Sequence, residues 1–151
     1  MNSKLSKRLQ DIVLALPLQV GIRVLEIGCG SGAMAREISK RIGTGYILGI
    51  DRSEKAIQQA IASSQKEITA GTLSFRKVAV ENFELDPAEE LFDLSIAVRV
   101  GALDGRHPEL ERHSLLNIAK AMTSKGRLFI DGGNPIKEIP LDEIRKLALK
   151  K

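Results

Sequence analysis

The chain has 151 residues, a length suited to one domain built round one core, with 43% hydrophobic and 28% charged residues and a net charge of +4. Aromatic residues make up 3% and tryptophan is absent, so a stacking platform for nucleic-acid bases is poorly supplied, and the basic residues are scattered along a solvated surface rather than gathered in a block. No apolar run approaches the roughly 18–20 residues that a membrane span needs, and a single cysteine, Cys29, excludes an internal disulfide and fits a cytoplasmic, reducing setting.

In chain order, Leu5, Leu9, Ile12, Val13 and Leu16 recur at helical spacing among charged residues, so an amphipathic capping helix is expected over 3–16, ended by Pro17. Ile22, Val24, Leu25 and Ile27 form a nearly continuous aliphatic run, the mark of a strand buried on both faces. That strand breaks into glycines at 28, 30 and 32, followed by a helical pattern to about residue 42. Strand, glycine turn and helix N-terminus make a cradle in which backbone N–H groups face a nucleotide.

Tyr46 to Ile50 reads as a second strand ending in Asp51, 23 residues beyond Gly28. A carboxylate there has two oxygens with which to accept both hydroxyls of a ribose. A helix is expected over 53–68, capped by Ser53 and broken by Gly71, then a third strand over 73–80 and a fourth from Phe92 to Val98. The segment from Arg99 to Pro108 follows the fourth strand, at the end of the sheet where open α/β folds bind ligands. Arg99, Asp104, Arg106 and His107 there are candidates to line a substrate pocket, with the arginines suited to a carboxylate or phosphate. His107 is the best general-base candidate, because an imidazole titrates near neutrality. A loop stapled by an Asp104–arginine pair is the competing reading. A helix over 109–122, a fifth strand over 127–130, a turn in which Asp131 and Asn134 could face a ligand, and a tail helix over 136–151 complete the chain.

The glycines alone leave two ligands open, since Gly28, Gly30 and Ala33 also satisfy the dinucleotide pattern G-x-G-x-x-G/A. Glu26 separates them: a carboxylate at the strand end repels a pyrophosphate but suits a sulfonium amino acid. With Glu26-Ile27-Gly28-Cys29-Gly30-Ser31-Gly32 and the second motif Gly49-Ile50-Asp51-Arg52-Ser53, residues 20–135 resemble the class I S-adenosylmethionine-dependent methyltransferases. The resemblance implies a Rossmann-like α/β three-layer sandwich. Its mainly parallel sheet has five strands in the order 3-2-1-4-5, helices on both faces and little room for the family's sixth and seventh strands. It implies one domain over 1–151, made of a capping helix over 1–17, a core over 20–135 and the tail helix.

Carried over position by position, the resemblance implies S-adenosylmethionine as cofactor, with S-adenosylhomocysteine as product. Glu26, Gly28, Cys29, Gly30, Gly32, Asp51, Arg52, Val80, Glu81 and Val98 would hold it. The acidic residue that the family often carries after its third strand falls here on Ala79, which passes the adenine contact to the Val80 backbone and to Glu81. Substrate candidates are Arg99, Asp104, Arg106 and Asn134, and no metal is called for. The expected acceptor is a small molecule; the N/D-P-P-Y/F tetrapeptide of nucleobase amino-methylation is absent. A non-catalytic binding module that needs a partner and an NAD-dependent oxidoreductase remain as alternatives. An exposed fifth strand is expected to be covered by the tail helix, a second copy of the chain or a partner protein.

Overall fold

The computed structural model describes residues 5–149. Helix α1 (Lys7–Ala15) starts on Ser6, whose hydroxyl accepts the Leu9 N–H, and ends just before Pro17. Then come β1 (Arg23–Ile27), α2 (Ala33–Ile42), β2 (Tyr46–Asp51), α3 (Glu54–Ser63), α4 (Gln65–Ala70), β3 (Leu73–Lys77) and a single 3-10 turn at Val80–Asn82. The second half holds β4 (Phe92–Ala97), α5 (Pro108–Ala121), β5 (Met122–Asp131), β6 (Ile136–Ile139) and α6 (Asp142–Leu149).

The six strands form one sheet in the order β3-β2-β1-β4-β5-β6. The first five run parallel, and β6 pairs antiparallel with β5. Side chains of successive strand residues alternate between two cores. Leu25, Ile27, Leu48, Ile50, Leu128 and Ile130 pack with Leu115 and Ile118 of α5 on one face. Val24, Ile47, Leu94, Ile96 and Phe129 pack with Ile12 of α1 and Met34 and Ile38 of α2 on the other. Burial on both sides is why the middles of these strands read as nearly continuous apolar runs.

The expected strand order therefore stands, with one addition. The fifth strand is not the edge of the sheet: β6 lies alongside it, and the tail region expected as helix over 136–151 divides into β6 and α6. The four residues of β6 lie between Pro135 and Pro140, and their hydrogen bonds are made entirely with β5, a partner that local periodicity does not reveal. The expectation of a homodimer or partner across a bare fifth strand loses that ground. The helix expected over 53–68 breaks at Ser64, which caps α3 and opens α4. The third strand stops at Lys77 rather than running to residue 80, because the chain turns into the 3-10 turn. The fifth begins at Met122, five residues early, with a register shift opposite Phe92 and Leu94. No helix among the described residues is long and apolar enough to cross a membrane.

Candidate functional site

A cleft of about 680 Å³ opens at the C-terminal ends of β1, β2 and β4, over the point where the strand order reverses. Its floor is the glycine loop. The Gly28 and Cys29 N–H groups donate to the Ile50 carbonyl at 2.8 and 3.0 Å, tying the loop to β2. Gly28 takes φ +75°, and a Cβ there would stand 2.9 Å from Val100 Cγ2. Gly28→Ala is therefore expected to lower stability by about 1–3 kcal/mol through backbone strain and the displaced Val100. Urea unfolding measures it, and a midpoint equal to that of the wild type would refute the role given to this glycine. Gly30 (φ +55°) has nothing within 4 Å of the place a Cβ would occupy, so bare backbone borders open space in the cleft.

Asp51 closes the end of β2. Its Oδ2 accepts the Gly30 N–H and its Oδ1 accepts the Ser53 N–H, each at 2.9 Å. One carboxylate thus fixes both the glycine loop and the start of α3, and each oxygen keeps a second lone pair for a ligand hydroxyl. Ser53 caps α3 itself, accepting the Ala56 N–H. Arg52, exposed, lines the cleft beside Asp51.

Glu26 is 3% exposed, and its Oε1 has no hydrogen-bond partner among the described residues. Burial raises its pKa from 4.5 to about 8; the Asp51 charge adds to the rise and Arg36 opposes it. An orphaned carboxylate oxygen in a cleft lining calls for a cationic or N–H donor from a ligand. That is the test by which the cleft fits a sulfonium amino acid better than a pyrophosphate. Cys29 is buried too, and desolvation together with the Glu26 and Asp51 charges pushes its thiol well above the ordinary range. It stays protonated and fills space.

Beyond β3, Val78, Ala79, Val80 and Glu81 form one wall. Beyond β4, the opposite wall carries Val98, Arg99, Val100, Gly101, Arg106 and His107. Arg99 holds the left-handed φ of +57°. Asp131 Oδ1 accepts its N–H at 3.0 Å, and Arg106 donates to its carbonyl at 2.9 Å. The backbone is thereby pinned at both polar groups, while the exposed Arg99 guanidinium has no partner among the described residues. Asp104 pairs with Arg106 at 2.9 Å, which holds its carboxyl below the usual range. His107 is half exposed, packs over Gly101 and stands 3.5 Å from Glu109.

The structure thus brings to one cleft Glu26, Gly28, Cys29, Gly30, Asp51, Arg52, Val80, Glu81, Val98, Arg99, Arg106 and His107. Gly32, Asp104 and Asn134 do not line it. Gly32 backs onto Phe75 and Ala60, Asp104 staples Arg106, and Asn134 sits in the turn between β5 and β6. Two features were missed. Ser6, Arg8 and Leu9 bring α1 over the cleft, where Arg8 is paired with Asp131. Asn117 of α5 is buried and donates to the carbonyls of Val80 and Glu81. A polar residue between Leu115 and Ile118, on the stripe facing the core, was the one signal for it. Among the described residues no group of three or more His, Cys, Asp or Glu side chains could hold a metal.

A family model described as a methyltransferase domain matches residues 18–149. The ribosomal protein L11 methyltransferase of Thermotoga neapolitana is 28% identical over 89% of this chain and 44% of its own length. The ubiquinone biosynthesis O-methyltransferase of Rhizobium etli is 38% identical over 60% of this chain and 34% of its own. The chain therefore spans less than half the length of either relative. A SAM-dependent methyltransferase from Thiobacillus denitrificans, solved with S-adenosyl-L-homocysteine, superposes with TM-score 0.64 over 86% of this chain and 50% of its own, at 21% identity. With the family match covering nearly the whole chain and the sheet order of the fold, the protein belongs to the methyltransferase domain family, in its Rossmann-like form.

Proposed function

We propose that the chain transfers the methyl group of S-adenosylmethionine to a small-molecule acceptor that carries an anionic group. The observation that supports this reading is the division of charge across the cleft. Glu26 and Asp51, at the C-terminal ends of β1 and β2, and Glu81, beyond β3, put three acidic side chains on one side, while Arg99, Arg106 and His107 follow β4. One side suits a cationic amino acid and a ribose; the other suits a carboxylate or phosphate.

The donor, when bound, supplies a methyl group on a positively charged sulfur. What the protein does is bind and align. Glu26 accepts the donor's ammonium group and Asp51 its ribose hydroxyls, while the N–H groups of the glycine loop border the carboxylate end. Glu81 and the Val80–Glu81 backbone meet the adenine, beside Arg52. Arg99, preorganised by Asp131 and Arg106, holds the anionic group of the acceptor. His107 is placed to take a proton where the acceptor atom carries one, which acceptors that attack as anions do not require.

Calorimetric titration with S-adenosylhomocysteine beside NAD tests the donor site: binding of the first with silence for the second is expected, and NAD binding alone overturns the reading. Incubation with S-adenosylmethionine and a panel of small carboxylates and phosphates tests the acceptor, read as S-adenosylhomocysteine formed. Arg99→Ala is expected to raise the acceptor KM ten- to a hundredfold, the loss of about 1.5–3 kcal/mol for a charged hydrogen bond. Affinity for S-adenosylhomocysteine should not change. Turnover without any anionic acceptor, or an Arg99→Ala variant with wild-type KM, overturns this half. A binding module without catalysis would show donor affinity and no turnover with any of the panel.

A further inference from the structure

The geometry points to Asn117 as a positioning residue that fixes the Val80–Glu81 peptide and, through it, the selectivity of the donor site for adenine. Asn117 is 7% exposed, lies on α5 and does not line the cleft. Its Nδ2 donates to Val80 O at 3.1 Å and to Glu81 O at 2.8 Å. Both partners are carbonyl oxygens, so the amide orientation is forced: the nitrogen must face them, and each of its two hydrogens has one acceptor.

The rest of the segment shows why this contact is needed. Val78 is tied to β2 by its N–H to the Asp51 carbonyl, and Asn82 and Phe83 close the 3-10 turn onto Ala79 and Val80. The Glu81 carbonyl takes no backbone donor from that turn; Asn117 supplies one. The Val80 carbonyl receives the Phe83 N–H at 3.2 Å and Asn117 as well, which uses both of its lone pairs. In a trans peptide the N–H lies opposite the C=O. Pinning the Val80 carbonyl to α5 therefore turns the Glu81 N–H away from α5, on the residue that lines the cleft. A backbone donor beside the Glu81 carboxylate acceptor is the complement of adenine, whose ring nitrogen accepts and whose amino group donates. Hypoxanthine reverses both. The inference rests on the donor reading above, in which Glu81 and its backbone meet the adenine.

The test compares S-adenosylhomocysteine with S-inosylhomocysteine by calorimetry, on wild type and on Asn117→Asp, which keeps the shape and loses both donors. Wild type is expected to prefer the adenine ligand by about tenfold or more, the worth of one well-made polar pair. Asn117→Asp should bring that ratio close to one. A purely structural asparagine would lower the melting temperature and leave the ratio alone. Asn117→Ala, which adds no charge, serves if the aspartate variant does not fold. Wild-type binding with no preference for adenine, or variants that keep the preference, overturns the role of Asn117 alone. Failure of wild type to bind S-adenosylhomocysteine overturns the donor reading and this one together.

Discussion

Glu26→Gln is expected to raise the melting temperature of the ligand-free protein at pH 8 and, at the same time, to weaken its hold on S-adenosylhomocysteine. The first effect follows from the pKa, lifted by burial from 4.5 to about 8. Between those values the folded chain holds a proton that the unfolded chain has released. Stability therefore falls as pH rises through that window, and is fully retained below about 4.5. Glutamine has no such proton, so the gain in melting temperature should be absent near pH 4.5, grow through neutrality and level off above pH 8. The second effect comes from the partnerless Oε1. A ligand ammonium brought to it pulls the carboxyl back toward ionisation, so binding near pH 7 should expel a proton. Calorimetry in two buffers of different ionisation heat reads that proton directly, and Glu26→Gln should abolish it. A melting-temperature difference that is flat across pH would show that Glu26 does not carry the proton assigned to it.

Asp51→Ala is expected to cost about 1.5–3 kcal/mol of S-adenosylhomocysteine binding, roughly ten- to a hundredfold in Kd. Two losses combine: the proposed ribose contact, and the two N–H groups, of Gly30 and Ser53, that the carboxylate now receives. Asp51→Asn separates them, since an amide keeps one acceptor oxygen where the carboxylate has two. It should fall between wild type and alanine in affinity. An alanine variant that binds with wild-type affinity would remove Asp51 from the donor site and leave it as a brace for the loop.

The parallel part of the sheet was readable because burial on both faces turns a strand into an aliphatic run, as Val24 to Ile27 and Ile47 to Ile50 are. The floor of the cleft was readable for a related reason. Glu26, the glycines and Asp51 lie at strand ends, where a polar residue or a missing side chain stands out against apolar neighbours. The wall beyond β4 was half readable. Arg99, Arg106 and His107 stood out as a cluster, but nothing in their spacing says that Asp131 would hold the Arg99 backbone from 32 residues away. Arg8 and Asn117 were missed because each does its work through partners distant in the chain, Asp131 for one and the Val80–Glu81 carbonyls for the other. β6 and the break at Ser64 were missed for want of a local signal: a four-residue edge strand takes its register from its neighbour, and a serine is tolerated inside helices as well as between them.

The ion pair between Arg8 and Asp131 spans 123 residues of sequence. Arg8 leaves the ribosome well before Asp131, the last residue of β5, which is made only after four parallel strands have been synthesised. Pairings so far apart form late, since the loop they close must be ordered before the contact repays it. The wall that α1 contributes is thus complete only when the far end of the sheet has docked. A nascent chain carries the glycine loop and Asp51 long before it carries a closed cleft, and ligand capture reports a finished fold rather than a finished motif.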